Sequence, residues 1–555
     1  MGGNMLFKKT IPILIIMILC TGQIYADVGD VVKSFQAPGN FPTGLTYDGK
    51  YLWNTDRKTD MLYKIDPESG EVISSLPAPG YQPEDLAFDG KYIWCLDKEE
   101  NLIHKIDPQT EITVKTIMAP CERPRGMTYD GEHLWLSDIR GDELIQISTE
   151  DGTTIMSHKA PSGNVHGLTF DGKYLWASDR ISNKIFLIEP ETGYVIFYFE
   201  SPDEFPRGLA FDGKYIWNCD YQSDSIYSIK IKDDNLFKIW DEKHQVMHYT
   251  EHVRNYGPGD ILDLEIYMAI PHDRGNQKLV GDIKYSTAPD EFRTDQWGQE
   301  VAVWHYDTLK AGQTAEPTMS TECKLYFITY FVYPEDVGTL EDIPAEIKDK
   351  YLVNDTKFAV DNEFMQMAVK KAVGDETNPY WIARNIYQHI MEHMYYELAG
   401  GWNIAPTVLE RGSGSCSEYS FVFISLCRAA GIPARYVGSV AVRGDDASTD
   451  DVFHRWCEIY LPEVGWFPVD PSGGDQEWPE RQAAFFGSLQ NRFLITTEGG
   501  GGSEYLEWSY NSNEKWKSKG KVKVQTEHFG EWSPAAKAEA GSPEQTATGD
   551  ESQSK

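Results

Sequence analysis

Five copies of an Asp-Gly pair constrain this chain more than any other feature. They are Asp48-Gly49, Asp89-Gly90, Asp130-Gly131, Asp171-Gly172 and Asp212-Gly213, spaced 41 residues apart. Trp53, Trp94, Trp135, Trp176 and Trp217 keep the same step, as do Asp56, Asp97, Asp138, Asp179 and Asp220. Each unit reads as four short strands, with Asp-Gly supplying the tight first hairpin and segments such as Asp66-Pro-Glu-Ser-Gly70 a later one. A period of about 40 residues with four strands per unit is the signature of a propeller blade.

The ends of the repeat fit a closed ring. The last unit supplies only three strands, through Ser225–Ile231, and a lone strand, Asp30–Phe35, precedes the first unit. Joining them completes a fifth blade and hides both sheet edges. The expectation is a five-bladed propeller over residues 27–235, with six blades as the alternative. The repeated Asp and Trp residues read as turn formers and inter-blade packing; a calcium-binding ladder is the other reading of the aspartates.

At 555 residues the chain is too long for a single core. Its net charge of −35 disfavours nucleic acid and anionic membrane surfaces as partners. Lys8 and Lys9 precede the short apolar run Ile11–Leu19, and Ile24-Tyr25-Ala26 offers a cleavage site, the layout of a signal peptide over residues 1–26. Cys20 raises a lipoprotein alternative, against which Leu19 stands. No later segment is long and apolar enough to span a bilayer. The expected product is exported, periplasmic or extracellular. Cleavage leaves Cys95, Cys121, Cys219, Cys323, Cys416, Cys427 and Cys457, an odd set with at least one unpaired thiol.

Residues 236–345 read as strands parted by Gly- and Pro-containing turns, a β-sandwich. Helical signals begin near 355. One apolar face carries Ile382, Ile386, Ile390 and Met394, and a second helix runs from about Ser417 to Ala430, stopped by Gly431 and Pro433. Strands follow near 434–442, 454–461 and 466–469, so residues 346–500 read as an α+β domain. Gly499–Gly502 reads as a flexible turn, residues 501–534 as a C-terminal β extension, and residues 535–555 as a disordered tail.

The chemistry gathers in the α+β segment. Cys416 follows Gly412-Ser-Gly-Ser415 and opens an apolar helix, His454 opens a strand, and Asp470 ends the next one. A thiol, an imidazole and a carboxylate are the parts of an activated-nucleophile site. At a helix start, backbone donors and the dipole lower a thiol pKa. The Cys416 N–H is a natural oxyanion donor, and Trp402, just upstream, is a candidate for the second.

Four stretches carry a family resemblance: Gly414-Ser-Cys416-Ser-Glu-Tyr-Ser, Leu426-Cys-Arg-Ala-Ala-Gly-Ile-Pro-Ala-Arg435, His454-Arg-Trp-Cys-Glu-Ile-Tyr and Gly465-Trp-Phe-Pro-Val-Asp470-Pro-Ser. They resemble the transglutaminase-like superfamily over roughly 350–500. The resemblance implies a papain-like core with Cys416 as nucleophile, His454 as base and acid, and Asp470 as the orienting carboxylate. It implies a peptidase, amidase or transglutaminase-type reaction through an acyl-thioester on a protein or peptide substrate, without a cofactor or metal.

Two rival readings stand beside it. His389-Ile-Met-Glu-His393 matches an inverted zinc-peptidase motif, but no second motif supplies further ligands, and a solvent-edge helix face explains both histidines. The other is a non-enzymatic binding or scaffold protein with a vestigial thiol domain, since propellers serve as platforms for partners. In the enzyme reading the propeller binds the substrate or a protein partner.

Overall fold

The structure, a computed structural model, describes residues 27–398, 402–444 and 448–535. The leader expected at 1–26 and all but the first residue of the expected tail lie outside them.

Five four-stranded antiparallel sheets follow one another along the first part of the chain. In the first blade the strands are Pro42–Tyr47, Leu52–Asp56, Met61–Ile65 and Val72–Pro77. The ring closes as the chain ends suggested: Val31–Gln36 pairs antiparallel with Ser225–Lys230 and becomes the outer strand of blade 5.

The two aspartate ladders build the turns. Asp48 Oδ1 accepts the N–H groups of Lys50 and Tyr51 at 3.0 and 2.7 Å around Gly49, whose φ of 89° suits glycine. Its Oδ2 accepts the Trp53 indole N–H at 2.8 Å, and the other four repeats make the same bond at 3.0, 3.0, 2.8 and 2.7 Å. In the second ladder Asp56 Oδ1 accepts from Lys58 and Thr59, while Oδ2 accepts the Phe41 N–H of the preceding loop at 2.6 Å. Backbone and indole donors occupy both oxygens of these carboxylates, so the ladders do structural work.

At the ring axis Gly44, Gly126, Gly167 and Gly208 hold the position that Asp85 takes in blade 2. A Cβ on Gly167 would lie 2.0 Å from the Arg207 carbonyl oxygen, and one on Gly208 2.4 Å from the Leu45 nitrogen. Only glycine lets the inner strands come this close. Asp85 is fully buried and accepts N–H groups of Leu45, Leu86, Met127 and Leu168 at 3.2, 2.9, 2.8 and 3.5 Å. One carboxylate thus ties blades 1 to 4 together and plugs the axis.

The middle segment is built on a 33-residue strand, Phe237–Ala269. It pairs with Thr318–Tyr330 over its first half and with Glu300–Leu309 over its last turn of chain. Its other edge is covered by Ser512–Pro534, from Gln245 opposite Pro534 to Met268 opposite Ser512. The C-terminal extension is therefore a strand of this sheet. Met247, Tyr249, Ile261 and Ile266 pack with Trp304, Met319 and Leu325 in one apolar cluster.

In the α+β domain the sheet order is Gly465–Val469, His454–Leu461, Ala434–Ala441, Phe493–Gly499. The helix Cys416–Ala429 packs against its histidine strand and against the helices Glu363–Val373, Pro379–His393 and Ala405–Arg411. One apolar core runs from this domain into the propeller, joining Tyr380, Phe331 and Tyr333 to Trp176, Phe197 and Phe199 of blade 4. Gly499–Gly502 is not the flexible turn read from sequence. A Cβ on Gly500 would lie 2.4 Å from the Trp297 ring, and one on Gly501 2.3 Å from the Asp355 carboxylate. The glycines are there for close packing.

Candidate active site

Cys416 occupies the first turn of its helix because the preceding residues form a cap. Ser415 and Glu418 make a capping box, each side chain serving the other's backbone N–H. Cys416 is 8% exposed, at the end where free backbone donors and the positive dipole face the sulfur.

His454 and Asp470 stand on neighbouring antiparallel strands. Asp470 follows Gly465–Val469 directly, and its Oδ2 lies 2.6 Å from His454 Nε2. Its Oδ1 accepts the backbone N–H groups of Ser472 and Gly473 at 3.1 and 2.9 Å and the Ser472 hydroxyl at 2.8 Å. With Nε2 engaged, Nδ1 is the ring nitrogen left for Cys416, whose thiol and the His454 imidazole shift each other's pKa down and up respectively. The ring packs on Trp456 and Phe493, 5.8 and 5.3 Å away, which also touch each other at 5.2 Å.

The electrostatics follow from that arrangement. Burial pushes the Cys416 thiol up, but the hydrogen bond and charge of His454, with the Arg455 backbone N–H, bring it below the ordinary thiol value. Burial also opposes the His454 cation, yet Asp470 and the Cys416 sulfur lift that imidazole to about 10. Asp470 is buried too, and His454, Gly473 and Ser472 outweigh burial to hold its carboxyl below the usual range. All seven described cysteines are free, and in the other six burial pushes the thiol up. Cys416 alone among them is built to ionise.

Trp402 is 38% exposed and comes to the same end of the domain. Its ring lies 6.3 Å from that of Tyr510 and 5.2 Å from the Arg455 guanidinium, and its carbonyl accepts from Lys357 Nζ. The zinc motif folds differently from a metal site: His393 Nδ1 faces the His389 carbonyl at 2.7 Å, and its Nε2 faces Lys371 Nζ at 3.1 Å.

Sequence reasoning missed five contributors: Glu418, Asp450, Phe453, Tyr510 and Arg455. Glu418 is fully buried; its Oε1 accepts the main-chain and side-chain N–H groups of Asn403, and its Oε2 accepts from Arg411 at 2.8 Å. The signal was present as Ser415-x-x-Glu418 before an apolar run. Asp450 holds the approach to the histidine, its Oδ1 accepting from Phe453 N and Arg443 Nε at 2.9 and 2.7 Å. Phe453 has φ 60°, unusual for an aromatic residue, and packs on Tyr249 and His528. Tyr510 and Arg455, 4.2 Å apart, form the wall beside Trp402.

Residues 366–471 match the transglutaminase-like superfamily. A stretch of 77 residues is 34% identical to the uncharacterised protein YebA of Bacillus subtilis, covering 12% of this chain and 10% of that protein. Another of 123 residues is 29% identical to an uncharacterised protein of Haemophilus influenzae, covering 18% of this chain and 33% of that one. The chain thus spans a tenth and a third of the curated relatives it matches. A candidate cysteine protease from Cytophaga hutchinsonii aligns over 52% of this chain and 93% of its own, at 14% identity and a TM-score of 0.37. Residues 366–471 are a transglutaminase-like domain, set behind a five-bladed propeller.

Proposed function

We propose that the protein is an exported enzyme that opens amide bonds in protein or peptide substrates through an acyl-thioester on Cys416. The observation that carries this reading is the chain of contacts from Asp470 through His454 to a lowered Cys416 thiol. The thiolate attacks the amide carbonyl carbon, and the oxyanion is held by the Cys416 N–H with Trp402 as the second donor. His454 passes its proton to the departing nitrogen as the C–N bond breaks. It then takes a proton from water or an amine, which attacks the thioester and frees the thiol.

Export rests on Lys8, Lys9 and the apolar run before Ala26. Among the described residues no helix is long and apolar enough to cross a membrane. The propeller is the platform that holds substrate or partner beside the thiol domain, and the shared apolar core supports a fixed arrangement of the two.

The test uses the mature protein and its Cys416→Ala variant with a mixed protein substrate and a tagged primary amine, read by mass spectrometry. New peptide termini that need Cys416 identify a peptidase. Amine incorporation or deamidation at glutamine that needs Cys416 identifies acyl transfer or amidase action. Identical products from both proteins refute the reading.

A further inference from the structure

The repeat offers an internal comparison of five units built on one pattern. The turn aspartate, the tryptophan and the loop aspartate recur in every blade, so positions that keep the step but change identity are free of that scaffold duty. Two such positions meet at one mouth of the ring. The first runs Thr43, Glu84, Arg125, His166, Arg207 and the second Arg57, Lys98, Ile139, Arg180, Tyr221. All of these except Thr43 line one cavity of about 300 Å³. Five cations therefore converge on a mouth whose lining holds one acid, in a protein of net charge −35.

Glu84 is ion-paired through both of its oxygens. Its Oε1 accepts from Arg207 Nη1 at 2.7 Å and lies 3.6 Å from Arg125 Nε, and its Oε2 lies 2.8 Å from Lys98 Nζ. Among the described residues Arg57 and Arg180 have no ion-pair partner. Arg57 stacks on Phe41 at 4.4 Å, and Arg180 stacks on Tyr221 at 5.0 Å and donates to its hydroxyl. Arg207 is 4% exposed, and its Nε has no hydrogen-bond partner.

The nearby acids do not balance the surplus. The loop aspartates behind the rim spend their oxygens on backbone N–H groups, as Asp179 does with Ile181, Ser182 and Asn164. Asp85, on the axis, is occupied by four N–H donors, and burial pushes its carboxyl up toward the neutral form. Burial and the like charges around them hold Lys98, Arg125 and Arg207 below their ordinary values, a repulsion that a bound anion relieves.

The structure assigns this mouth as a binding site for a small oxyanion group, a carboxylate or a phosphate, gripped by Arg57, Lys98, Arg125, Arg180 and Arg207. Guanidinium forks suit both geometries, and aromatic faces at Phe41 and Tyr221 hold two of the forks in place. The rim adjoins the thiol domain. Pro161, three residues before the cavity-lining Asn164, accepts the Glu480 N–H at 3.1 Å, and Lys159 pairs with Glu477 at 2.6 Å. An anionic ligand here is held on the side of the propeller that touches the segment running on from Asp470.

The test is isothermal titration calorimetry of the full-length protein with inorganic phosphate and, separately, citrate, at constant ionic strength set with sodium chloride. Saturable binding of either probe supports the site, and the stronger one names the group. Arg57→Ala and Arg180→Gln alter half-buried rim residues outside the ion-pair cluster, so the ring stays folded, as circular dichroism will verify. Each should weaken binding about tenfold, the effect of losing one charge-assisted contact. Lys173→Ala, elsewhere on the propeller, should not. Binding of neither probe, or equal binding in the rim variants and the wild type, overturns the assignment.

Discussion

Glu418 holds Asn403 twice, accepting its main-chain N–H at 3.0 Å and its side-chain N–H at 2.9 Å through one carboxylate oxygen. The other oxygen caps the nucleophile helix and takes Arg411. One buried acid therefore fixes the start of the Cys416 helix and the strand of chain carrying Trp402. Glu418→Ala removes the cap and leaves buried donors unpaired, and should cost about 2–4 kcal/mol, measured by urea unfolding.

The activity profile should be bell-shaped and unusually broad at high pH. Its rising limb reports Cys416 ionisation below the ordinary thiol value of about 8.5, and its falling limb reports loss of the His454 proton near 10. Asp470→Asn removes the charge that raises His454, so the falling limb should move down toward about 6.5. The rate at neutral pH should fall roughly a thousandfold, in a steady-state assay against a substrate that the product test identifies.

Alkylation should single out one thiol. Iodoacetamide at pH 7 should label Cys416 in the native protein while the six cysteines whose thiols are pushed up by burial stay unlabelled, read by peptide mass mapping. His454→Ala should slow that labelling at least tenfold, because the imidazolium supplies the thiolate's partner.

Gly500→Ala places a methyl 2.4 Å from the Trp297 ring, and should destabilise the protein by about 1–3 kcal/mol in thermal or urea unfolding. Asp85→Gly has the opposite steric sense, since four blades already carry glycine there. It should still cost about 1–3 kcal/mol, because four backbone N–H groups lose their acceptor.

What could be read from the sequence was local or repeated. Five copies at a fixed step expose the blades and the ring closure, and Cys416, His454 and Asp470 each sit in a short segment that announces its own strand or helix. What could not be read depends on partners far away in sequence. Nothing near Glu418 names Asn403 or Arg411, and nothing near Ser512 says that it will lie beside Met268. The glycines at 499–502 carry the composition of a flexible turn, and only the Trp297 and Asp355 side chains arriving from elsewhere show them to be packed. The shared core between blade 4 and the thiol domain is equally silent in the sequence, since each side looks like an ordinary apolar face.

The strand Ser512–Pro534 also sets an order of events. It covers the edge of Phe237–Ala269, and its Gly530 and Glu531 pair with Asp450 and Thr449, the residues that lead into His454. A chain that emerges from its amino terminus has the thiol helix, the histidine strand and Asp470 long before this partner exists. The approach to the histidine therefore gains its neighbouring strand last, after every other part of the candidate site has been synthesised.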